Sequence, residues 1–291
     1  MSRTSRFAVL LAVPVLVCAC GQADSAGGSA EDTSAASASS ASASEPQVVE
    51  VGAVDYSFES PDELDPGWVT FHLANHGAEA HHLTLLRLEE GRTVTELVAA
   101  LRDGRPIDGI ATWAGGPNAP MPGASSNATV QLTPGEYALI CLVPSPDGVP
   151  HVFKGMVKEI TVRDGPSAGA EPAADVEVTL RDYAFQMNRE VTAGKHTIRA
   201  VNETTSTEPH EVVVARLAPG KTVQDVNNWI HNMQGPPPAE FLGGISAIAP
   251  GQSGTFTVDF TPGEYAILCP VPGADGEPHT YKGMMLQFTV M

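Results

Sequence analysis

Thr133-Pro-Gly-Glu-Tyr137-Ala-Leu-Ile-Cys141-Leu-Val-Pro-Ser-Pro-Asp-Gly-Val-Pro-His151-Val-Phe-Lys-Gly-Met156 returns later in the chain as Thr261-Pro-Gly-Glu-Tyr265-Ala-Ile-Leu-Cys269-Pro-Val-Pro-Gly-Ala-Asp-Gly-Glu-Pro-His279-Thr-Tyr-Lys-Gly-Met284. Of the 24 paired positions 16 are identical, and cysteine, histidine and methionine keep an offset of 128. A repeat this long points to two tandem domains and not to a solenoid of short units.

Around the first copy, segments 48–58, 68–74, 83–88, 128–132, 136–142 and 156–162 are rich in Val, Leu, Ile and aromatic residues. Several alternate with period two, and Gly, Pro, Asn and Asp separate them. The second half repeats the order at 176–185, 196–202, 212–217, 254–260, 264–268 and 285–290. Short strands without alternating helices predict an all-β protein of two antiparallel β-sandwiches, each large enough for its own core. The expected domains are 47–164 and 173–291, joined by a polar Pro/Gly-containing linker at 165–172.

Each half also carries a short helical insertion. Thr93-Val-Thr-Glu96 opens 97–101 with a capping-box pattern, and Thr222-Val-Gln-Asp225 opens 226–233 at the equivalent place. The Gly/Pro-rich stretches 108–126 and 234–252, with Trp113, Met121 and Phe241, read as long loops that cover a site or offer a docking face.

The chain begins with Arg3 and Arg6 followed by a short apolar run, the pattern of an export signal too short for a stable membrane span. Val17-Cys18-Ala19-Cys20 resembles the lipobox of bacterial lipoproteins. That resemblance implies a signal peptide at 1–19, acylation of Cys20, and anchorage to the cell membrane facing outside the cytoplasm. An ordinary secreted protein is the alternative. Residues 20–46, dominated by Ser, Ala, Gly, Asp and Glu, read as a flexible tether with a reach of about 25–30 Å. Loss of 1–19 leaves 14 basic against 34 acidic side chains, a poor surface for nucleic acid.

A metal that cycles between Cu(I) and Cu(II) is suited by a soft thiolate, two imidazoles and a weak axial thioether. Each repeat supplies three of these. Aligning Arg87-Leu88-x-x-Gly91 with Arg216-Leu217-x-x-Gly220 pairs His81 with His210 as the fourth. The expected ligand sets are His81, Cys141, His151, Met156 and His210, Cys269, His279, Met284, one copper ion in each domain. His82 competes with His81, but the alignment sets Glu211 opposite it. Met285 aligns with Val157, which leaves Met284 as the axial candidate. His72, His76, His196 and His231 lack partner histidines and are assigned no metal role. A Cys141–Cys269 disulfide is the competing reading in an oxidising compartment, but it leaves the matched histidines and methionines unexplained.

With Asn75 six positions before His81, Gly135-x-Tyr137-x-x-x-Cys141 at a strand end, and the order Cys-x9-His-x4-Met, residues 47–291 resemble the cupredoxin family of blue-copper proteins. The resemblance implies Greek-key sandwiches, type 1 copper and electron transfer, with His151 and His279 as solvent-near exit ligands. The Cys-x9-His loop is nearer that of nitrite-reductase copper domains than of plastocyanin, and Asn202 lies eight positions before His210, a first-ligand loop longer by two residues.

A non-enzymatic electron carrier, with a redox partner protein that the sequence does not name and no small-molecule substrate, is the leading expectation. Copper storage or delivery is the second, though Met- or His-rich tracts are missing. A multicopper oxidase or nitrite reductase is the third. Such enzymes need further histidines, often one just before the cysteine, whereas Ile140 and Leu268 stand there and no His-x-His pair occurs. The P-loop, Gly-x-Ser-x-Gly and His-Glu-x-x-His motifs are also absent.

Overall fold

The structure, a computed structural model, describes residues 44–291. The signal peptide, the lipidation site Cys20 and all but the last residues of the tether lie outside the described residues.

The first half runs β1 (Gln47–Val54), β2 (Ser57–Glu59), β3 (Glu63–Leu64), β4 (Gly67–Asn75), β5 (Thr84–Leu88), α1 (Val94–Arg102), β6 (Ala111–Gly115), β7 (Ser125–Leu132), β8 (Gly135–Ile140) and β9 (Val157–Val162). The second runs β10 (Val176–Arg181), β11 (Ala184–Met187), β12 (Gly194–Asn202), β13 (His210–Leu217), α2 (Val223–Asn232), β14 (Ala239–Ile248), β15 (Ser253–Phe260), β16 (Gly263–Leu268) and β17 (Met285–Val290). The all-β class and both inserted helices expected from the sequence are present.

Alternation decides which faces are buried. In β4, Val69, Phe71 and Leu73 point into the core while Thr70 and His72 face outward, as the period-two pleat requires. The pairing departs from the wholly antiparallel sandwiches expected: β1 lies parallel to β4, and β10 to β12. In the first half the reason is a change of sheet. After the β1–β2 hairpin the chain crosses over as β3, which pairs with β9, and returns as β4 beside β1.

Both sheets continue across the two halves. One has the order β11-β10-β12-β15-β7-β4-β1-β2, the other β17-β16-β13-β14-β6-β5-β8-β9-β3. The junctions are β7 with β15, through Thr129–Thr255 and Val130–Gly254, and β6 with β14, through Ala114–Ile248. The stretches 108–126 and 234–252 are therefore not simply loops. They hold β6 and all of β14, which join the halves. Gly243 and Gly244, with φ of 95° and 117°, sit opposite the register shift between Val214 and Ala215. A Cβ on Gly244 would lie 1.9 Å from the Val212 carbonyl oxygen, so only glycine fits that approach.

One continuous apolar core spans both halves, with Phe71, Leu85 and Val130 in the same cluster as Val214, Ile245 and Phe256. Two smaller clusters lie under the helices, Leu97 and Ala100 against Leu86 and Ile140, and Val226 against Ala215 and Leu268. Helices this short depend on such packing, and burying Leu97 contributes roughly 1.5–3 kcal/mol. Both helices begin with the expected capping box, Thr93 with Glu96 and Thr222 with Asp225. Segment 165–172 runs beside β4: the Trp68 N–H donates to the Ala168 carbonyl at 2.8 Å, and the Ala168 N–H to that of Pro66 at 3.0 Å. No helix among the described residues is long and apolar enough to cross a membrane.

Candidate metal centres

The repeated Thr-Pro-Gly-Glu-Tyr stretch fixes where each cysteine emerges. Tyr137 is buried and its hydroxyl donates to the Thr133 carbonyl at 3.0 Å while accepting the Thr133 N–H at 3.1 Å; Tyr265 does the same with Thr261. The tyrosine thereby locks the turn that launches β8 or β16, and Cys141 or Cys269 follows the last residue of that strand.

The loop after the cysteine folds back on it. In the first half His151 N–H donates to the Val143 carbonyl at 3.0 Å, Val152 N–H to that of Cys141 at 2.8 Å, and Met156 N–H to that of His151 at 3.0 Å. Cys141 N–H donates to the Met156 carbonyl at 3.3 Å. Gly155, at φ 107°, turns the chain out of the short 3-10 helix so that Met156 leads directly into β9. Cys269, His279, Gly283 and Met284 repeat this arrangement. The first histidine comes from the neighbouring strand: His81 precedes β5, and His210 opens β13.

His81, Cys141 and His151 converge with their donor atoms within 4.8 Å of one another, as do His210, Cys269 and His279, and all six side chains are fully buried. His81 Nδ1 lies 2.9 Å from His151 Nδ1, and Cys141 Sγ 3.4 Å from His151 Nδ1. In the second centre the Nδ1 atoms are 3.0 Å apart, and Cys269 Sγ is 3.8 Å from His210 and 3.5 Å from His279. Met156 and Met284 are fully buried beside these groups.

The chemistry of the first donor set can be tested from its far side. His81 Nε2 faces Asp55 Oδ1 at 2.5 Å, and His151 Nε2 faces Glu79 Oε2 at 2.8 Å. Burial works to raise the Asp55 carboxyl, but hydrogen bonds from the Ala78 N–H and from His81 outweigh it and hold it below the usual range. Glu79 is likewise raised by burial and lowered further by His151, Ser145 and Tyr56. Both are thus ionised and only accept, so each Nε2 carries the proton and each Nδ1 is bare. Two nitrogen lone pairs and a sulfur facing one another form a donor set that a cation between them would satisfy. His₂Cys with a weak axial Met is the donor set of a blue-copper site. The residues therefore fit copper, and the two groups, one per half, are consistent with two type 1 copper ions.

Burial pushes the Cys141 thiol up to about 12 and that of Cys269 higher still, against donation from the backbone N–H groups of His82 and Val143, or of Glu211 and Val271. A metal must displace those protons to bind. Both cysteines are free thiols in separate centres, which removes the disulfide reading.

His82 is turned away from the first centre. Its Nε2 accepts the Leu142 N–H at 2.7 Å, and burial, followed by the charges of His151 and His81, pushes its pKa down to about 3. Glu211 occupies the equivalent place, and burial, opposed by a hydrogen bond from Asn118, pushes it up to about 8. His72 pairs with Glu50, His196 with Asp175 and His231 with Thr280, all outside the two clusters.

One expectation needs correction. His151 and His279 do not themselves reach solvent: both are fully buried, and Glu79 with Tyr56, or Glu208 with Tyr183, covers the outer ring edge. The covering residues were not foreseen. Their signal was in the same internal alignment, since Asp55-Tyr56 matches Asp182-Tyr183 and Glu79 and Glu208 each stand two positions before the first histidine.

The second centre is covered less completely. Glu208 Oε2 lies 3.2 Å from His279 Nε2 but is out of line for a hydrogen bond, and His210 Nε2 is buried without a partner. Burial, then the neighbouring His279, pushes His210 down to about 4.

No family profile and no curated protein sequence matches the chain. Among solved structures it is similar to auracyanin B, at 23% identity over 42% of this chain and 93% of that one, with a TM-score of 0.31. It is similar to auracyanin A of Chloroflexus aurantiacus, described as a "blue" copper protein, at 20% identity over 40% and 99% with a TM-score of 0.30. A third likeness is to a copper nitrite reductase of Nitrosomonas europaea, at 15% identity over 85% and 94% with a TM-score of 0.24.

Proposed function

We propose that this chain is an electron-transfer protein with one type 1 copper site in each half, anchored through Cys20 at the outer face of the cell membrane, and that it is not an enzyme. The observation that carries the reading is the convergence, twice, of two imidazole Nδ1 atoms and a thiol in a fully buried setting. Copper bound there supplies a one-electron couple. The residues supply a rigid, dry cage: Cys141, His151 and Met156 are tied to one another through the backbone, and Asp55 and Glu79 hold the histidine rings from behind. Such ligands change position little when the ion changes charge, which favours fast, reversible transfer over chemistry on a bound molecule.

Full burial of every donor also supports a carrier over a catalyst, which needs a ligand position open to substrate. Among the described residues these two groups are the clusters of His, Cys and acidic side chains able to hold a metal. The lipid anchor rests on the sequence around Cys20 alone.

Reductive titration of the copper-loaded protein tests the reading. A carrier bleaches and recovers its thiolate-to-copper absorption reversibly with one electron per site and keeps its copper. A storage protein instead releases the ion on reduction to an added Cu(I) chelator. Membrane fractionation of Cys20→Ser tests the anchor, which predicts a shift into the soluble fraction.

A further inference from the structure

Asp55 and Asp182 occupy equivalent places, between β1 and β2 and between β10 and β11, yet they do different things. Asp55 Oδ1 accepts a hydrogen bond from His81 Nε2 at 2.5 Å, and its Oδ2 accepts the Ala78 N–H at 2.9 Å. Asp182 instead accepts from the hydroxyls of Thr204 and Thr205, the latter at 2.6 Å, and from the Thr205 N–H at 3.4 Å. His210 Nε2 is left buried and without a partner.

The cause is the two-residue difference in the first-ligand loop. Both loops hang on an asparagine: Asn75 donates to the Glu79 and Pro120 carbonyls at 2.8 and 3.1 Å, and Asn202 to those of Glu208 and Ile248 at 3.4 and 2.9 Å. Asn75 Oδ1 accepts from Gly77, Asn202 Oδ1 from Thr204. Between anchor and histidine the longer loop places Thr204 and Thr205 against the aspartate, which they bind in place of the imidazole.

We infer that Asp55 is a positioning residue for His81 with no working counterpart at the second centre, and that this difference gives the two coppers unequal potentials, the first site the lower. The inference rests on the copper reading above. A carboxylate that shares the Nε2 proton raises the basicity of Nδ1 and fixes the ring. It also sets negative charge one ring away from the ion, which favours the more highly charged cupric state. The first site has two such carboxylates in line, Asp55 and Glu79; at the second, Glu208 lies 3.2 Å from His279 Nε2 but out of line, and His210 Nε2 has no carboxylate partner at all. The first site therefore has the lower potential and the stronger hold on the cupric ion.

The test uses full-length protein carrying either Cys269→Ser, which keeps the first site, or Cys141→Ser, which keeps the second. Redox titration of the remaining blue band is done in the same buffer for both proteins. The first site is expected at the lower potential. Asp55→Asn in the first-site protein should reduce its preference for the cupric ion about tenfold, which is ~59 mV upward. Thr204→Val with Thr205→Val in the second-site protein should free Asp182 and move that potential down. In the copper-free protein, ¹⁵N shifts of His81 should report an Nε2–H tautomer that Asp55→Asn abolishes, a change that a merely structural role would not produce.

Equal potentials with both blue bands intact, or an Asp55→Asn protein with normal copper content and unmoved potential, would overturn this inference and leave the copper reading standing. Absence of a blue band from both single-site proteins would overturn the two together.

Discussion

The buried Ser246 hydroxyl, in the second half, donates to the carbonyl of Leu83 in the first at 3.0 Å and approaches that of Gly116 at 3.2 Å. Ser246 is fully buried, and its own N–H donates to Gly116 at 2.8 Å. The bond ties β14 to the strand that follows His81 and His82, so the two halves share backbone partners as well as apolar surface. Copper-free protein should accordingly unfold in one cooperative transition. Ser246→Ala leaves the Leu83 carbonyl short of its hydroxyl donor, while the backbone N–H still serves Gly116, and should cost about 1–3 kcal/mol. Chemical denaturation monitored by far-UV circular dichroism and by tryptophan fluorescence checks both points; two separated transitions in the parent protein would show that the halves unfold independently.

The ligands should separate cleanly from their neighbours. Cys141→Ser or Cys269→Ser should remove one blue site and lower bound copper from two per chain to one. His82→Gln should keep both, because the His82 ring serves the Leu142 N–H and not the metal. Loss of the first blue band in His82→Gln, with folding intact by circular dichroism, would make His82 the ligand in place of His81.

Stability of the copper-free protein should depend on pH in two directions. His82 and His210 titrate near 6.5 when unfolded but at about 3 and about 4 when folded, so the folded chain binds fewer protons in that range. Their contribution is full above about 6.5 and is lost as pH falls through about 4 for His210 and about 3 for His82. Glu211 has the opposite sign: with a folded pKa of about 8 against 4.5, its contribution is full below about 4.5 and is lost as pH rises to about 8. Urea midpoints measured across this range should peak near neutrality. Glu211→Gln should flatten the alkaline side, and an unchanged alkaline decline in that variant would refute the assignment.

Helix capping gives a smaller, local test. Thr93→Ala and Thr222→Ala each remove a side chain that accepts the N–H of the third helical residue, at a cost of about 1 kcal/mol. The blue absorption of both sites should be unchanged, because each helix packs on a satellite cluster and supplies no ligand. A changed spectrum in either variant would show that the helices shape the metal sites.

Much of the site was legible because the chain states it twice. Cysteine, histidine and methionine lie within one 24-residue repeat, and a second alignment brings in His81 and His210. What stayed hidden depends on partners remote in sequence. β6 is five residues long and β14 contains Gly243-Gly244, which reads as a turn until Val212 and Ser126 are packed against it. The burial of His151 comes from Glu79 and Tyr56, and that of His81 from Asp55, on segments 72, 95 and 26 residues away; strand patterning does not reveal such approaches. The parallel pairing of β1 with β4 likewise follows from the chain's visit to the other sheet at β3, whose two residues leave no periodic signal.

The central claim is that each half holds one copper through a thiolate and two imidazoles. Copper titration of the reduced, full-length protein, with visible absorption and metal content followed together, tests it most directly. The account predicts an intense thiolate-to-copper band that rises linearly and saturates at two coppers per chain. Saturation without that band, or with copper bound while Cys141 and Cys269 still react as free thiols after denaturant-free alkylation, would contradict it.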